Sequence, residues 1–134
     1  MAMDNPRLGA SVPGMEGKAA TGWRRICNAC RYTVDGLVAA FRHEAAFRQE
    51  VLAAAVLIPA ALLSPAGAAG KALMVAAVIL VLIVELINSA VESVVDRISH
   101  ERHPLAKRAK DIGSAAVFMS LVNVCAVWLL VLLG

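Results

Sequence analysis

Aromatic side chains are scarce in this sequence, 4% of 134 residues, and no basic run is interleaved with them. Nothing therefore points to nucleic acid, which is gripped by alternating stacking and basic positions. Charged residues are also few, 17% against 60% hydrophobic, and the mean hydropathy of +0.72 is unlike that of a soluble domain of this size. The first 21 residues lack the continuous apolar segment of a secretory signal peptide. They mix Pro, Gly, Ala and Ser with scattered charges and read as a disordered tail. A second cysteine pair is missing too. Cys27 and Cys30 form a C-x-x-C, but no partner pair follows at zinc-finger spacing, and the "HERH" of residues 100–103 lies about seventy residues on with the wrong internal gap for zinc. These cysteines read as small apolar residues on one helix face, and Cys125 as a packing residue. There is no internal repeat.

What the sequence does have is long uncharged runs, at residues 51–70, 72–84 and 112–134. Roughly 20 apolar residues rising about 1.5 Å each cross a hydrocarbon core. The first and third runs suffice alone, whereas the second must borrow residues 85 to about 95. The expected spans are about 48–64, 71–98 and 111–133, with Pro59 as a kink in the first and Asp111 and Ser114 at the N-terminus of the third. Ahead of them, at 100° per residue, Arg24, Asn28, Arg31, Asp35 and Arg42 share one face, with Ile26, Cys30, Leu37 and Phe41 opposite. This predicts an amphipathic interfacial helix at about 24–43, serving equally well as a plain anchor or as a basic surface for headgroups and bound anions. The expected architecture is thus an all-α membrane protein: a cytoplasmic tail, residues 1–21, and one integral-membrane domain, residues 22–134.

Lysine and arginine orient it. Seven lie before residue 51, five between residues 97 and 110, and Lys71 alone beside the "SPAGAAGK" loop. The positive-inside rule then predicts a cytoplasmic N-terminus and 96–111 loop, with the 64–71 loop and the C-terminus on the other side. Anionic membrane lipids are natural partners for such a charge distribution.

The stretch "VELINSAVESVVDR", residues 84–97, ends the second apolar run with carboxylates. Glu85, Asn88, Glu92 and Asp96 fall within an arc of about 80° on a helix. A carboxylate inside a membrane is penalised by roughly 2.5 kcal/mol upward, so it faces protein, water or a ligand. For Asp96 an interfacial position explains the charge as well as function does; Glu85, three turns deeper, points to function. Glu44, just before the first span, adds a further carboxylate. Such groups suit Mg²⁺, which takes one or two protein carboxylates together with substrate phosphates. Lys110, Arg108 and Arg25 offer cations for phosphate.

Two classes of function fit these residues. One is phosphoryl transfer at the membrane surface, with a deep carboxylate accepting the proton of a lipid alcohol. The other is a small proton-coupled transporter built on a buried glutamate. Asn88 and the dense charged loop favour the first. Against a kinase stands the missing P-loop, since "PAGAAGKA" lacks both the first glycine and the final Ser/Thr of the motif. No protein-kinase signature replaces it.

The segments "EAAFRQE" (44–50), "ELINSAVESVVDRI" (85–98) and "HPLAKRAKDIGSAAV" (103–117) closely resemble the small integral-membrane diacylglycerol kinases of Gram-negative bacteria. The order and spacing match from about residue 22 onward, and the E-x-x-N-[ST]-A-x-E-x-x-V-D core is specific. The resemblance implies three transmembrane helices plus a surface helix, a homotrimer with shared sites in the inner membrane, and a kinase without a P-loop. It implies Mg²⁺ and ATP, with diacylglycerol as acceptor, or undecaprenol as in a related branch. By position, Glu85 resembles the catalytic base, and Glu44 and Glu92 the metal-binding carboxylates. Arg25, Tyr32, Glu44, Asn88, Glu92, Glu101, Arg102, His103, Lys110 and Asp111 resemble the nucleotide-contacting set. The lipid-substrate side is implied for Arg25, Ala46, Phe47, Arg48, Gln49, Glu50, Glu85 and Ser114. Cys27, Asn28, Cys30 and Arg31 depart from the family pattern in the surface helix.

Overall fold

A computed structural model describes residues 22–98 and 103–134. The tail, residues 1–21, and Glu101 and Arg102 lie outside the described residues. Four helices make up the rest: α1 (Gly22–His43), α2 (Ala45–Leu63), α3 (Ala68–Ile98) and α4 (Pro104–Leu133). No strand occurs among the described residues. Three of the helices, α2, α3 and α4, are long and apolar enough to cross a membrane. Large apolar side chains such as Leu52, Ile83, Phe118 and Leu130 stand exposed along them, as contact with lipid requires.

The chain divides after Val34 into two compact units. Among the described residues the first unit is residues 22–34 of α1, all exposed, including Arg25, Tyr32, Cys27 and Cys30. Thr33 there donates its hydroxyl to the Ala29 carbonyl at 2.9 Å.

The second unit, residues 35–134, is organised around α3, which packs against both α2 and α4. Glu44 alone separates α1 from α2, at φ −104° and ψ 113°. That break leaves the last carbonyls of α1 without helical donors. Arg48 supplies one: its Nη1 donates to the carbonyls of both Phe41 and Arg42 at 3.1 Å. Phe47, Ala54 and Ala61 bury one stripe of α2 at seven-residue intervals. Small residues there let backbones approach where lipid offers no hydrophobic drive to helix association. Pro59 lies inside α2, and the helix continues through it to Leu63.

α3 and α4 run antiparallel in a register fixed at several levels. At the end near the α2–α3 connection, a Cβ on Gly70 would stand 2.8 Å from Val131 Cγ1, so the two backbones meet there closely. Next, Trp128 donates its indole N–H to the Met74 carbonyl at 3.4 Å. Farther along, Asn88 lies against Gly113, and at the charged end Asp96 pairs with Lys110. α3 buries Met74, Ala77, Val78, Val81, Glu85 and Ser89. At 31 residues it is about 46 Å long, well beyond a hydrocarbon core of about 30 Å, so its charged end has length to spare.

One boundary differs from the sequence expectation. The last helix begins at Pro104, not near Asp111. Pro104 occupies the first turn, where its missing N–H is no loss. His103 is the N-cap, its Nδ1 accepting from the Leu105 amide at 3.2 Å. Asp111 and Ser114 are accordingly interior helical residues, and residues 104–110 are helix rather than loop.

Candidate active site

The buried face of α3 and its carboxylate stripe are the same face. On a 100° wheel, Met74, Val78, Val81 and Ser89 fall within about 40° of Glu85, as do Glu92 and Asp96. The polar stripe is therefore the continuation of the packing face, turned toward protein and away from lipid. Exposure rises along it. Glu85 is 4% exposed, Asn88 and Glu92 are half-buried, and Asp96 is open to solvent. From Glu85 to Asp96 the axial rise is about 16 Å, the span from the packed interior to the charged end.

Other elements bring further groups to this face. Glu44 and Glu92 both lie within electrostatic range of Glu85. So does Glu50, on the second turn of α2. Its Oε2 is buried without a hydrogen-bond partner, and it opens onto a cavity of about 60 Å³ lined by Ala54, Leu57, Val78, Val81 and Leu121. An unpaired buried carboxyl oxygen on an apolar cavity is destabilising by itself. A second, larger groove of about 410 Å³ is walled by Leu37, Val38, Phe41, Phe47, Val51 and Leu82.

Glu92 is oriented by its neighbour one turn back. Asn88 Nδ2 donates to Glu92 Oε1 at 3.1 Å. Glu44, although it is the N-cap residue of α2, makes no capping hydrogen bond with its side chain, so its carboxylate is not engaged by the helix it opens. Two half-buried hard-oxygen groups, one at the α1–α2 junction and one on α3, neither neutralised by an ion pair among the described residues, fit a divalent cation that also takes phosphate oxygens. Among the described residues no group of three or more His, Cys, Asp and Glu gathers as a self-sufficient metal centre.

The structure brings together Glu44, Glu50, Glu85, Asn88 and Glu92, with Lys110 beside them through Asp96. Lys110 Nζ meets Asp96 Oδ1 at 2.5 Å and lies within range of Glu92. Asp111 pairs with Lys107 on its own helix and is exposed, as is Ser114. Arg48 caps α1, and Phe47 is a core residue at 3% exposure; Ala46 and Gln49 beside them are exposed. His103 caps α4. Arg25 and Tyr32 belong to the first unit.

Two neighbours of the stripe escape reasoning from the residues alone. Glu50 is named from the sequence only through the family resemblance, on the lipid-substrate side, and nothing in its spacing announces that α2 brings it to Glu85. Gly113 enters only within "DIGS", yet a Cβ there would collide with Asn88 Oδ1. A glycine inside a helical pattern is the one signal that could have found it.

Comparison with known proteins gives a consistent result. The family description "Prokaryotic diacylglycerol kinase" matches residues 31–132. The chain is 55% identical to the diacylglycerol kinase of Pseudomonas aeruginosa over 117 residues, 87% of this chain and 95% of that one. It is 47% identical to the Haemophilus influenzae diacylglycerol kinase over 81% of this chain and 92% of the relative. With the Escherichia coli K12 diacylglycerol kinase it shares 45% identity over 84% and 92%.

Proposed function

Because the chain belongs to the prokaryotic diacylglycerol kinase family, we propose that it is an ATP-dependent lipid kinase. It transfers the γ-phosphoryl group of ATP to the free hydroxyl of diacylglycerol, giving phosphatidic acid and ADP at the bacterial inner membrane. The observation that carries this reading is the rise in exposure along one face of α3, from buried Glu85 to open Asp96. A lipid alcohol arrives from the apolar side and a nucleotide from the aqueous side, and such a face serves both.

The roles follow from the chemistry. Glu85, deep on the stripe, accepts the proton of the acceptor hydroxyl as its oxygen attacks the γ-phosphorus and the bond to the β-bridging oxygen breaks. Glu44 and Glu92 hold Mg²⁺, which when bound neutralises charge on the phosphates. Lys110 exchanges its contact with Asp96 for phosphate oxygen. Asn88 holds Glu92, and Glu50 with the apolar cavity beside it receives the glycerol end of the lipid. Arg25, Tyr32, Glu101, Arg102, His103 and Asp111 serve the nucleotide, and Ala46, Phe47, Arg48, Gln49 and Ser114 the lipid entrance.

The architecture we propose has α1 as an amphipathic helix at the cytoplasmic interface, the N-terminus cytoplasmic and the C-terminus periplasmic. The lysine and arginine distribution supports that orientation. Three copies assemble, with apolar faces such as that of Ile79, Leu80, Ile83 and Ile87 left for lipid or a neighbouring copy.

The test is phosphoryl transfer from labelled Mg-ATP by purified protein in mixed micelles, with diacylglycerol and undecaprenol offered in parallel. Labelled phosphatidic acid is expected. Labelled undecaprenyl phosphate would keep the mechanism and overturn the acceptor; transfer to neither would overturn the kinase reading.

A further inference from the structure

Gly113 lies inside α4 with ordinary helical backbone, since no glycine among the described residues has positive φ. Conformational freedom does not explain it. A glycine within a helix is less favourable than alanine by about 1 kcal/mol, so its presence calls for a packing reason. The reason is on the facing helix. A Cβ at position 113 would overlap Asn88 Oδ1, stand 3.2 Å from Asn88 Cγ and reach Asn88 Cβ at 3.9 Å. The whole Asn88 side chain occupies the space that glycine leaves. Gly36, also helical, has nothing within 4 Å of the same position, so the crowding belongs to Gly113 and not to helical glycine in general.

The two ends of the Asn88 carboxamide have different fates. Nδ2 donates to Glu92 Oε1 at 3.1 Å. Oδ1 is buried and has no hydrogen-bond partner; it rests on the glycine backbone. Left to itself a buried amide oxygen would rotate toward a donor, because an unmade hydrogen bond is destabilising. The seat on α4 keeps it from doing so, helped by the weak attraction between a carbonyl oxygen and an α-carbon hydrogen.

We propose that Gly113 is a positioning residue of the active site: by lacking a side chain it seats the Asn88 carboxamide, which in turn fixes the Glu92 carboxylate. The consequence for the metal rests on the reading of Glu92 as a Mg²⁺ ligand; the seating of Asn88 does not. An alanine at 113 drives Asn88 to another rotamer, Glu92 loses its only hydrogen bond among the described residues, and the carboxylate must be ordered anew by each ion.

The experiment compares Gly113→Ala with the parent protein in micelles by two readouts besides turnover. One is the side-chain amide resonance of Asn88, identified by its loss in Asn88→Ala. The other is Mn²⁺ binding by electron paramagnetic resonance in the presence of a non-hydrolysable ATP analogue. Gly113→Ala is expected to shift the Asn88 resonance and weaken Mn²⁺ binding by about tenfold, the low end for loss of an outer-shell partner. The KM for diacylglycerol should stay as it is. In an Asn88→Ala background the added Gly113→Ala change should weaken Mn²⁺ binding no further. An unmoved Asn88 resonance, or a further tenfold loss in that background, would overturn the proposal. If Gly113→Ala fails to fold, recovery of folding in the Asn88→Ala background supports the seat, and failure there as well overturns it. Glu92→Gln, measured alongside, tests the metal reading separately: unchanged Mn²⁺ binding in that variant sinks the role of Glu92, while the Asn88 resonance still decides that of Gly113.

Discussion

Asp96 on α3 and Lys110 on α4 meet in an ion pair of 2.5 Å, one helical turn beyond Glu92. Both side chains are substantially exposed, and a solvent-screened pair of this kind contributes little to stability. Its consequence is positional. The most exposed member of the stripe holds the cation of the facing helix beside the carboxylates, where a nucleotide would bring its phosphates.

The two partners should therefore differ when removed singly. Asp96→Asn is expected to leave the thermal midpoint nearly unchanged and catalysis within a few-fold. Lys110→Gln removes the charge-assisted contact to phosphate proposed for this lysine, and kcat/KM for ATP should fall roughly ten- to a hundredfold. Steady-state kinetics over ATP, with thermal unfolding of both variants, decides the matter. Equal losses would mean that the ion pair itself, and not the lysine, is what matters.

Glu85→Gln keeps the size of a side chain that is 4% exposed and removes its capacity to accept a proton. Turnover should drop by about 10²- to 10⁴-fold, the usual contribution of a general base. The assembly should remain folded, because the amide fills the same volume. Near-normal turnover in a folded variant would remove Glu85 from the mechanism.

For the carboxylates proposed to hold Mg²⁺ the expected signature lies in the cation dependence. Glu92→Gln and Glu44→Gln should each raise the Mg²⁺ concentration needed for half-maximal rate, by roughly ten- to a hundredfold if a ligand is lost. The KM for diacylglycerol should move little. A Mg²⁺ titration at saturating lipid, repeated with Mn²⁺, checks this, and an unchanged requirement in both variants would be incompatible with their roles.

The sequence makes the three spans legible because hydrophobic runs of this length admit few alternatives, and it makes the stripe legible because a helical period puts Glu85, Asn88, Glu92 and Asp96 on one arc. That this arc coincides with the packing face of α3 also follows once the buried residues Met74, Val78 and Val81 are known. The start of α4 is hidden by charge: "AKRAKD" looks like a loop, although His103 followed by Pro104 carries the cap and first-turn signature. Glu50 and Gly113 are harder. Their importance arises from which helix packs on which, a long-range relation that no local period encodes, so the approach of Glu50 to Glu85 and of Asn88 to Gly113 appears only in three dimensions.

The far end of the α3–α4 pair offers a stability test independent of catalysis. Gly70 sits in the first turn of α3, where alanine would be the better helix former by about 1 kcal/mol. Yet its Cβ would stand 2.8 Å from Val131 Cγ1 and 3.3 Å from the Ala66 Cβ. Val131 is β-branched and stiff at χ1 within a helix, so it does not rotate away cheaply. Overpacking should win over propensity, and Gly70→Ala should destabilise by about 1–3 kcal/mol. Gly67→Ala, with open space at the same position, is the control and should be near neutral. Adding Val131→Ala to Gly70→Ala should relieve the clash and recover most of the lost stability, because the inserted methyl then takes the place of Cγ1, one of the two methyls removed. Residues 70 and 88 are separated by about 27 Å along α3, so the folded fraction of Gly70→Ala should keep its kcat. Thermal inactivation in micelles and single-turnover rates measure the two quantities separately. A destabilised Gly70→Ala that Val131→Ala fails to rescue would show that the strain lies against Ala66, within the turn, and not between α3 and α4.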